Sequence, residues 1–105
     1  MTHTATEVDR HTVRTPPLEP DLLYVMLEID ITSLDDAGVE TSFNASDFHP
    51  NPDGVMTSGQ ADPQYLFTYD KTDGHIHVTQ LDTAAAVTAD TSVGVVDIIL
   101  VGPDN

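Results

Sequence analysis

The chain has 105 residues, with 18 acidic residues against three Lys and Arg, a formal net charge of −15 at pH 7 and no cysteine. The lack of cysteine excludes disulfide scaffolds and thiolate metal sites. Three cations cannot build the basic face on which nucleic-acid binding depends. The longest apolar run, Leu22 to Leu27, has six residues, whereas a membrane-spanning helix needs roughly 20. We therefore expect one domain with no nucleic-acid partner and no membrane partner.

The acidity itself predicts an environment. The 18 acids comprise 14 Asp and 4 Glu, and at low salt such a charge destabilises a compact chain by self-repulsion. Molar salt shortens the Debye length to about 3 Å and removes most of that repulsion. An Asp-rich, Lys-poor composition is typical of extremely halophilic archaea, so we expect a halophilic protein.

Residues 1–20 are predicted to form an extended N-terminal docking arm, followed by a β-domain over residues 21–105. The arm contains two of the three cations, and its three prolines fix the backbone in an extended conformation. A disordered tail is the alternative. The residues predicted to bind a partner are Arg10, Val13, Arg14, Pro16, Pro17 and Leu18.

The first strand of the β-domain is predicted over residues 22–32. Apolar side chains alternate with other residues along this segment, and a period of two indicates a strand. A turn should follow, with Gly38 at positive φ. Residues 39–43 alternate again and could pair with the first strand as a hairpin.

Residues 44–63 are predicted to be mainly loop, with Val55 and Met56 as a short strand, because Pro, Gly, Asn and Asp are frequent there. Residues 64–82 show the clearest hairpin pattern. Its turn spans residues 70–74, with Gly74 suited to a bulge. The aromatic stripe of Tyr65, Phe67 and Tyr69 is typical of a core-facing strand.

The last strand is predicted over residues 93–101, and both of its faces are apolar. This pattern indicates a central strand, or one whose outer face meets another subunit. Ile99 and Val101 are the predicted oligomer interface. Together, short strands separated by turn residues predict an all-β fold, a small sandwich or barrel of five to seven mainly antiparallel strands.

Chemistry-bearing motifs are sparse. His75 and His77 share one face of a predicted strand, with ring positions about 7 Å apart by the rise per residue. His49 could add a third metal ligand from the loop. Solvated surface histidines explain the same pattern, so we expect no metal and no cofactor. The serines lie in no nucleophile elbow or triad pattern, and we expect no enzymatic activity.

Three segments carry a resemblance to a known family. The segments are YVMLEIDITSLDDAGVE, DPQYLFTYDKTDGHIHV and SVGVVDIILVG. Their strand pattern, the YDxTxGxIxV hairpin and the terminal run resemble small acidic virion proteins encoded among the head genes of haloarchaeal tailed viruses. Those proteins in turn resemble the capsid decoration proteins of tailed bacteriophages.

The resemblance implies a non-enzymatic structural protein on the capsid surface of a virion. Such a protein binds the lattice of the major capsid protein and forms homo-oligomers, with a trimer favoured. An extended N-terminal arm commonly attaches these proteins to the capsid. The alternatives are a tail or neck virion protein, or a small halophilic β-module that binds a protein or a metal in the cytoplasm of an archaeon.

Overall fold

A computed structural model describes residues 3–14 and 21–104. Its strands form two antiparallel sheets, one of four strands in the order β1-β2-β7-β4 and one of three in the order β3-β6-β5. The strands are β1 (His3–Val13), β2 (Leu22–Ile31), β3 (Val39–Glu40), β4 (Gly54–Gln60), β5 (Tyr65–Asp70), β6 (His75–Gln80) and β7 (Gly94–Pro103). A short 3-10 helical turn, Ala45–Asp47, precedes β4. The all-β prediction is confirmed, and the arrangement is a sandwich instead of a closed barrel.

The core lies between the sheets. Alternation along β2 sends five apolar side chains inward, and three more come from β7. Sheet β3-β6-β5 and the loops supply the rest. The fully buried members include Leu23, Val25, Leu27, Ile29 and Ile31 of β2, Val96, Ile98 and Leu100 of β7, and Phe67, Ile76 and Val78 of the second sheet. Tyr65 and Tyr69 pack against this core, as the aromatic stripe predicted.

The hairpin and the turns follow their sequence signals. β5 pairs with β6 from Tyr65 opposite Gln80 to Asp70 opposite His75. Gly74 has φ +77 and Gly38 has φ +74, in the left-handed region that favours glycine. At these two turns the local residue preferences and the tertiary fold therefore agree.

Two segments differ from their sequence predictions. β3 is only two residues long and pairs with β6, because both edges of β2 are already occupied by β1 and β7. The segment predicted as loop contains β4, a seven-residue edge strand that pairs with β7. Its exposed position at the edge of the sheet tolerates glycines that would weaken a central strand.

The N-terminal region takes part in the sheet. Residues 3–13, which fall within the predicted arm, form β1 and pair with β2 from His3 opposite Ile31 to Val13 opposite Leu22. The register shifts between Glu7 and Asp9, which places a bulge at Val8. Bulges of this kind discourage further strands from adding to an open edge. Residues 15–20, including Pro16, Pro17 and Leu18, lie outside the described residues.

Candidate functional site

The outer face of the four-stranded sheet, which points away from the second sheet, carries a group of apolar side chains from β2, β7 and β4. Met26 lies opposite Ile99, and Ile99 in turn lies opposite Met56 on the other side. Tyr24 lies opposite Val101 in the next row. We call these five residues the apolar half of the outer face. β7 is thus a central strand, and its second apolar face is the middle of this surface.

The apolar half remains accessible. Met26 and Met56 are 38% and 51% exposed, and the adjoining bulge residue Val8 is 64% exposed. Ile99 and Val101 are half-buried by their sheet neighbours. Clusters of exposed large apolar side chains on a soluble protein usually mark an interaction site. Ile99 and Val101, the residues predicted for an oligomer interface, therefore lie in a surface whose apolar composition is typical of interaction sites.

The other part of the same face is acidic. Glu28 lies directly opposite Asp97, and Asp30 lies opposite Val95 one row further along. We call Glu28, Asp30 and Asp97 the acidic half. Like charges in directly opposed positions destabilise a sheet. High salt should therefore stabilise the sheet at Glu28 and Asp97, because it screens the repulsion between them. A shallow groove of about 200 Å³ crosses the boundary between the halves, with Val8 and Met26 among its lining residues.

The predicted partner-binding residues of the N-terminal region have different environments. Val13 lies opposite Leu22 and is 41% exposed. Arg14 is exposed. Arg10 is engaged within the chain, because its guanidinium donates to Glu7 at 2.9 Å and to the carbonyl of Phe48 at 2.9 Å. The hydrogen bond that Arg10 donates to the Glu7 carboxylate raises the pKa of Arg10 above its usual value.

The three candidate metal histidines do not converge. His49 is buried, donates from Nε2 to the carbonyl of Leu23 and accepts from the backbone N–H of Asn51 at Nδ1. Both ring nitrogens of His49 are therefore occupied. His75 Nδ1 lies 2.9 Å from the carbonyl of Phe43 and donates to it. The expectation that these histidines hold no metal together stays a prediction.

His77 instead belongs to a cluster at the β5–β6 turn. Its Nε2 lies 2.8 Å from Oδ2 of Asp73 and 3.7 Å from Oδ2 of Asp70. The N–H of His75 donates to Asp73 and, together with the contact from His77, holds the pKa of the Asp73 carboxyl below its usual value. Burial and the nearby carboxylates of Asp73 and Asp70 raise the pKa of Tyr69.

A second cluster, which the sequence pattern did not indicate, lies between the two sheets. Glu40 is fully buried, and its Oε2 lies 2.7 Å from Nδ1 of His3. Asp35 completes a group whose three ligand-type atoms lie within 4.8 Å of one another. A carboxylate in an alternating segment ordinarily indicates a solvent-facing position, and residues 3 and 40 are far apart in sequence. These side chains meet because β1 belongs to the four-stranded sheet and β3 to the three-stranded sheet, and the two sheets pack against each other.

Comparisons with protein-family models, with curated protein sequences and with solved structures found no significant match.

In the described part of the chain, no helix has the length and apolar character needed to cross a membrane.

Proposed function

We propose that this protein is a non-enzymatic structural protein that decorates a viral capsid, as the resembling virion proteins of haloarchaeal tailed viruses do. Copies of the chain associate through the apolar half of the outer face, and the N-terminal region contacts the major capsid protein. The observation that carries the proposal is the exposed apolar half formed by Tyr24, Met26, Met56, Ile99 and Val101.

The charge pattern of the outer face favours a second copy of the chain as the occupant of its apolar half. The carboxylates of Glu28, Asp30 and Asp97 lie at one end of the face and the apolar residues at the other. Symmetry-related copies can therefore join their apolar halves and leave the acidic halves in solvent, where molar salt screens them. A closed trimer, which the family resemblance favours, is compatible with this arrangement.

Attachment to the capsid is assigned to the N-terminal region. Arg14 and Val13 are exposed at the end of β1, next to the segment that contains Pro16, Pro17 and Leu18. Prolines reduce the conformational entropy that a segment loses when it binds. In molar salt, bidentate hydrogen bonds from arginine and apolar contacts supply the affinity, because simple charge attraction is screened. Arg10 contributes only if it exchanges its contacts with Glu7 and Phe48 for contacts with the capsid protein.

Co-sedimentation tests the proposal. Shells assembled from the major capsid protein of the corresponding virus are mixed with the full chain in 3 M KCl and pelleted. We expect saturable binding at a fixed ratio to the capsid protein, and weaker binding by an Arg14→Ala, Val13→Ser variant. A Leu66→Ser variant, altered at an exposed site on the other sheet, serves as the control. Failure of the unmodified chain to pellet with the shells would contradict the proposal.

A halophilic β-module that binds a metal is the second candidate, because residues 3–14 and 21–104 contain two clusters of histidine and carboxylate side chains. A chain that never binds capsid shells but takes up a stoichiometric metal would favour this second function.

A further inference from the structure

A cleft lies between the two sheets on the side of the sandwich where β4 and β5 are the edge strands. Its volume is about 470 Å³. Val55 and Thr57 line the cleft from β4, and Phe67 and Tyr69 line it from β5. The cleft is therefore a gap between two strands that belong to different sheets.

The open edge of β5 presents main-chain hydrogen-bonding groups to this cleft. The N–H of Leu81 donates to the carbonyl of Gln64, and the hydrogen bonds of an antiparallel pair join every second pair of opposed residues. The groups that point away from β6 are therefore the N–H and C=O of Tyr65, Phe67 and Tyr69. The side-chain amide of Gln60 donates to the carbonyl of Tyr65 at 2.6 Å, which agrees with this direction and closes one end of the cleft.

β4 presents the same kind of edge from the opposite wall. The carbonyl of Val95 accepts a backbone hydrogen bond from the chain just beyond β4. The alternation continues along β7 to Ile99, which lies opposite Met56. Met56 therefore bonds to β7, and its neighbours Val55 and Thr57 direct their N–H and C=O groups towards the cleft.

The main-chain groups of Phe67 are shielded from water on the side of the cleft. Phe67 is 2% exposed, and in residues 3–14 and 21–104 no hydrogen bond reaches its N–H or C=O from that side. Unpaired main-chain groups in such a position cost free energy. A strand added along β5 would pair them.

The charge and the width of the cleft both fit an extended peptide. Residues 54–61 and 63–69 contain no charged side chain, although the chain has 18 acidic residues. Edge strands usually avoid further pairing through charges or bulges, whereas β5 pairs with β6 in unbroken register. Packed sheets lie about 10 Å apart, twice the roughly 4.8 Å between paired strands. One strand between β4 and β5 therefore reaches both.

A strand that fills the cleft in this way needs both of its own edges free. In the described part of the chain, every edge strand already has one edge paired within its sheet. A folded second copy therefore offers no such strand from these residues. A tail or a linker of another protein, which is extended before it binds, has both edges free.

We propose that the cleft binds an extended segment of another protein by β-strand addition. The segment has apolar side chains at alternate positions, which pack onto Phe67 and Tyr69, and it lacks carboxylates. Only three Lys and Arg are present in the chain, so a carboxylate enclosed in the cleft would have no cation to compensate it. This binding activity goes beyond the capsid proposal and does not depend on it.

Selection of a displayed library of random peptides against the full chain in 3 M KCl tests the proposal. The selected peptides should bind Thr57→Asp at least about tenfold more weakly, because the new carboxylate would be enclosed without a partner. Thr12→Asp is the matched control, since Thr12 is an exposed residue of β1 at the opposite edge of the same sheet. We expect unchanged binding by this variant. Failure to select any peptide that distinguishes the two variants would overturn the proposal.

Two further measurements separate strand addition from other modes of binding. Hydrogen exchange at the N–H groups of Phe67 and Tyr69 should slow when a selected peptide is bound, whereas exchange at Thr68, which bonds to β6, should change little. The same peptide with methylated backbone nitrogens should lose binding, because it keeps its side chains but not its main-chain donors.

Unchanged exchange at Phe67 and Tyr69 in the complex would overturn the proposal. Protection of these two N–H groups that grows with the concentration of the chain, without any peptide, would make a second copy the occupant and would also overturn it. Circular dichroism of Thr57→Asp verifies that the sandwich is intact, and the methylated peptide tests the same main-chain contacts on the unmodified chain.

Discussion

Replacing Val101 by aspartate should impair self-association while leaving the sandwich folded. Val101 lies on the outer face between Tyr24 of β2 and Gly54 of β4. It is half-buried, and the core on the other side of β7 is formed by Ile98 and Leu100. A carboxylate at position 101 therefore reaches solvent in the isolated chain, but would be enclosed when a second copy covers the apolar half.

The expected effect on assembly is large. Complete burial of a valine-sized side chain is worth about 1.5–3 kcal/mol, so covering the part of Val101 that is still exposed should contribute at most about 1 kcal/mol on assembly. Enclosing an unpaired carboxylate costs several kcal/mol more. Together these effects cost at least about 3 kcal/mol, which raises the dissociation constant at least a hundredfold. Salt does not remove this penalty, because it arises from the loss of water around the charge.

Sedimentation equilibrium in 3 M KCl measures the effect, and circular dichroism checks that the β content is unchanged. Leu66→Asp is the matched control, because Leu66 is 45% exposed on the sheet that we do not assign to the interface. We expect Leu66→Asp to assemble like the unmodified chain. Equal assembly by Val101→Asp and Leu66→Asp, or a monomeric unmodified chain at every salt concentration, would refute the reasoning.

Three further predictions concern stability. The melting temperature should rise steeply between 0.1 and 3 M KCl. The Asp97→Asn substitution should raise the melting temperature at 0.1 M KCl but not at 3 M KCl, because salt screens the repulsion between Asp97 and Glu28. An equal effect of the substitution at both salt concentrations would contradict this prediction. The pKa of Asp73 is lowered in the folded chain, so its carboxylate stabilises the fold at pH values above its unfolded pKa of about 4, and this contribution is lost as the pH falls through the folded pKa. In urea denaturation, the free energy of unfolding of Asp73→Asn should be lower than that of the unmodified chain at pH 7, and the difference should shrink at pH 3. A difference that does not depend on pH would contradict this prediction. Gly102→Ala should destabilise the fold by about 1–3 kcal/mol in urea, since its Cβ would collide with the carbonyl oxygen of Asn51; an unchanged unfolding midpoint would show that the loop at Asn51 can move away.

Sequence patterns predicted those strands and turns that are determined mainly by residues close together in the chain. The alternation over residues 22–32 matches β2, and the turn residues at Gly74 define the β5–β6 hairpin. These signals work because the side chains of a half-buried strand alternate between core and solvent whichever strand lies beside it.

The remaining features depend on contacts that are distant in sequence. The alternation over residues 39–43 allows a hairpin with β2, but the edges of β2 are taken by β1 and β7. β4 has weak strand preferences and forms because β7 offers it an edge. Glu40 faces the core only because β3 joins the second sheet, so its contact with His3 could not be read from spacing. Ile99 and Val101 could be placed on the apolar outer face because both faces of their strand are apolar, and their role in an oligomer interface stays a prediction.

The central claim is that this chain is a capsid-binding protein that assembles through the apolar half of its outer face. Quantitative mass spectrometry of purified virions from the virus that encodes the chain tests it most directly. The account predicts the chain in the virion at a simple fixed ratio to the major capsid protein, and its release as oligomers when the particles are stripped. Absence of the chain from virions, with recovery of the protein in the cell extract alone, would contradict the account.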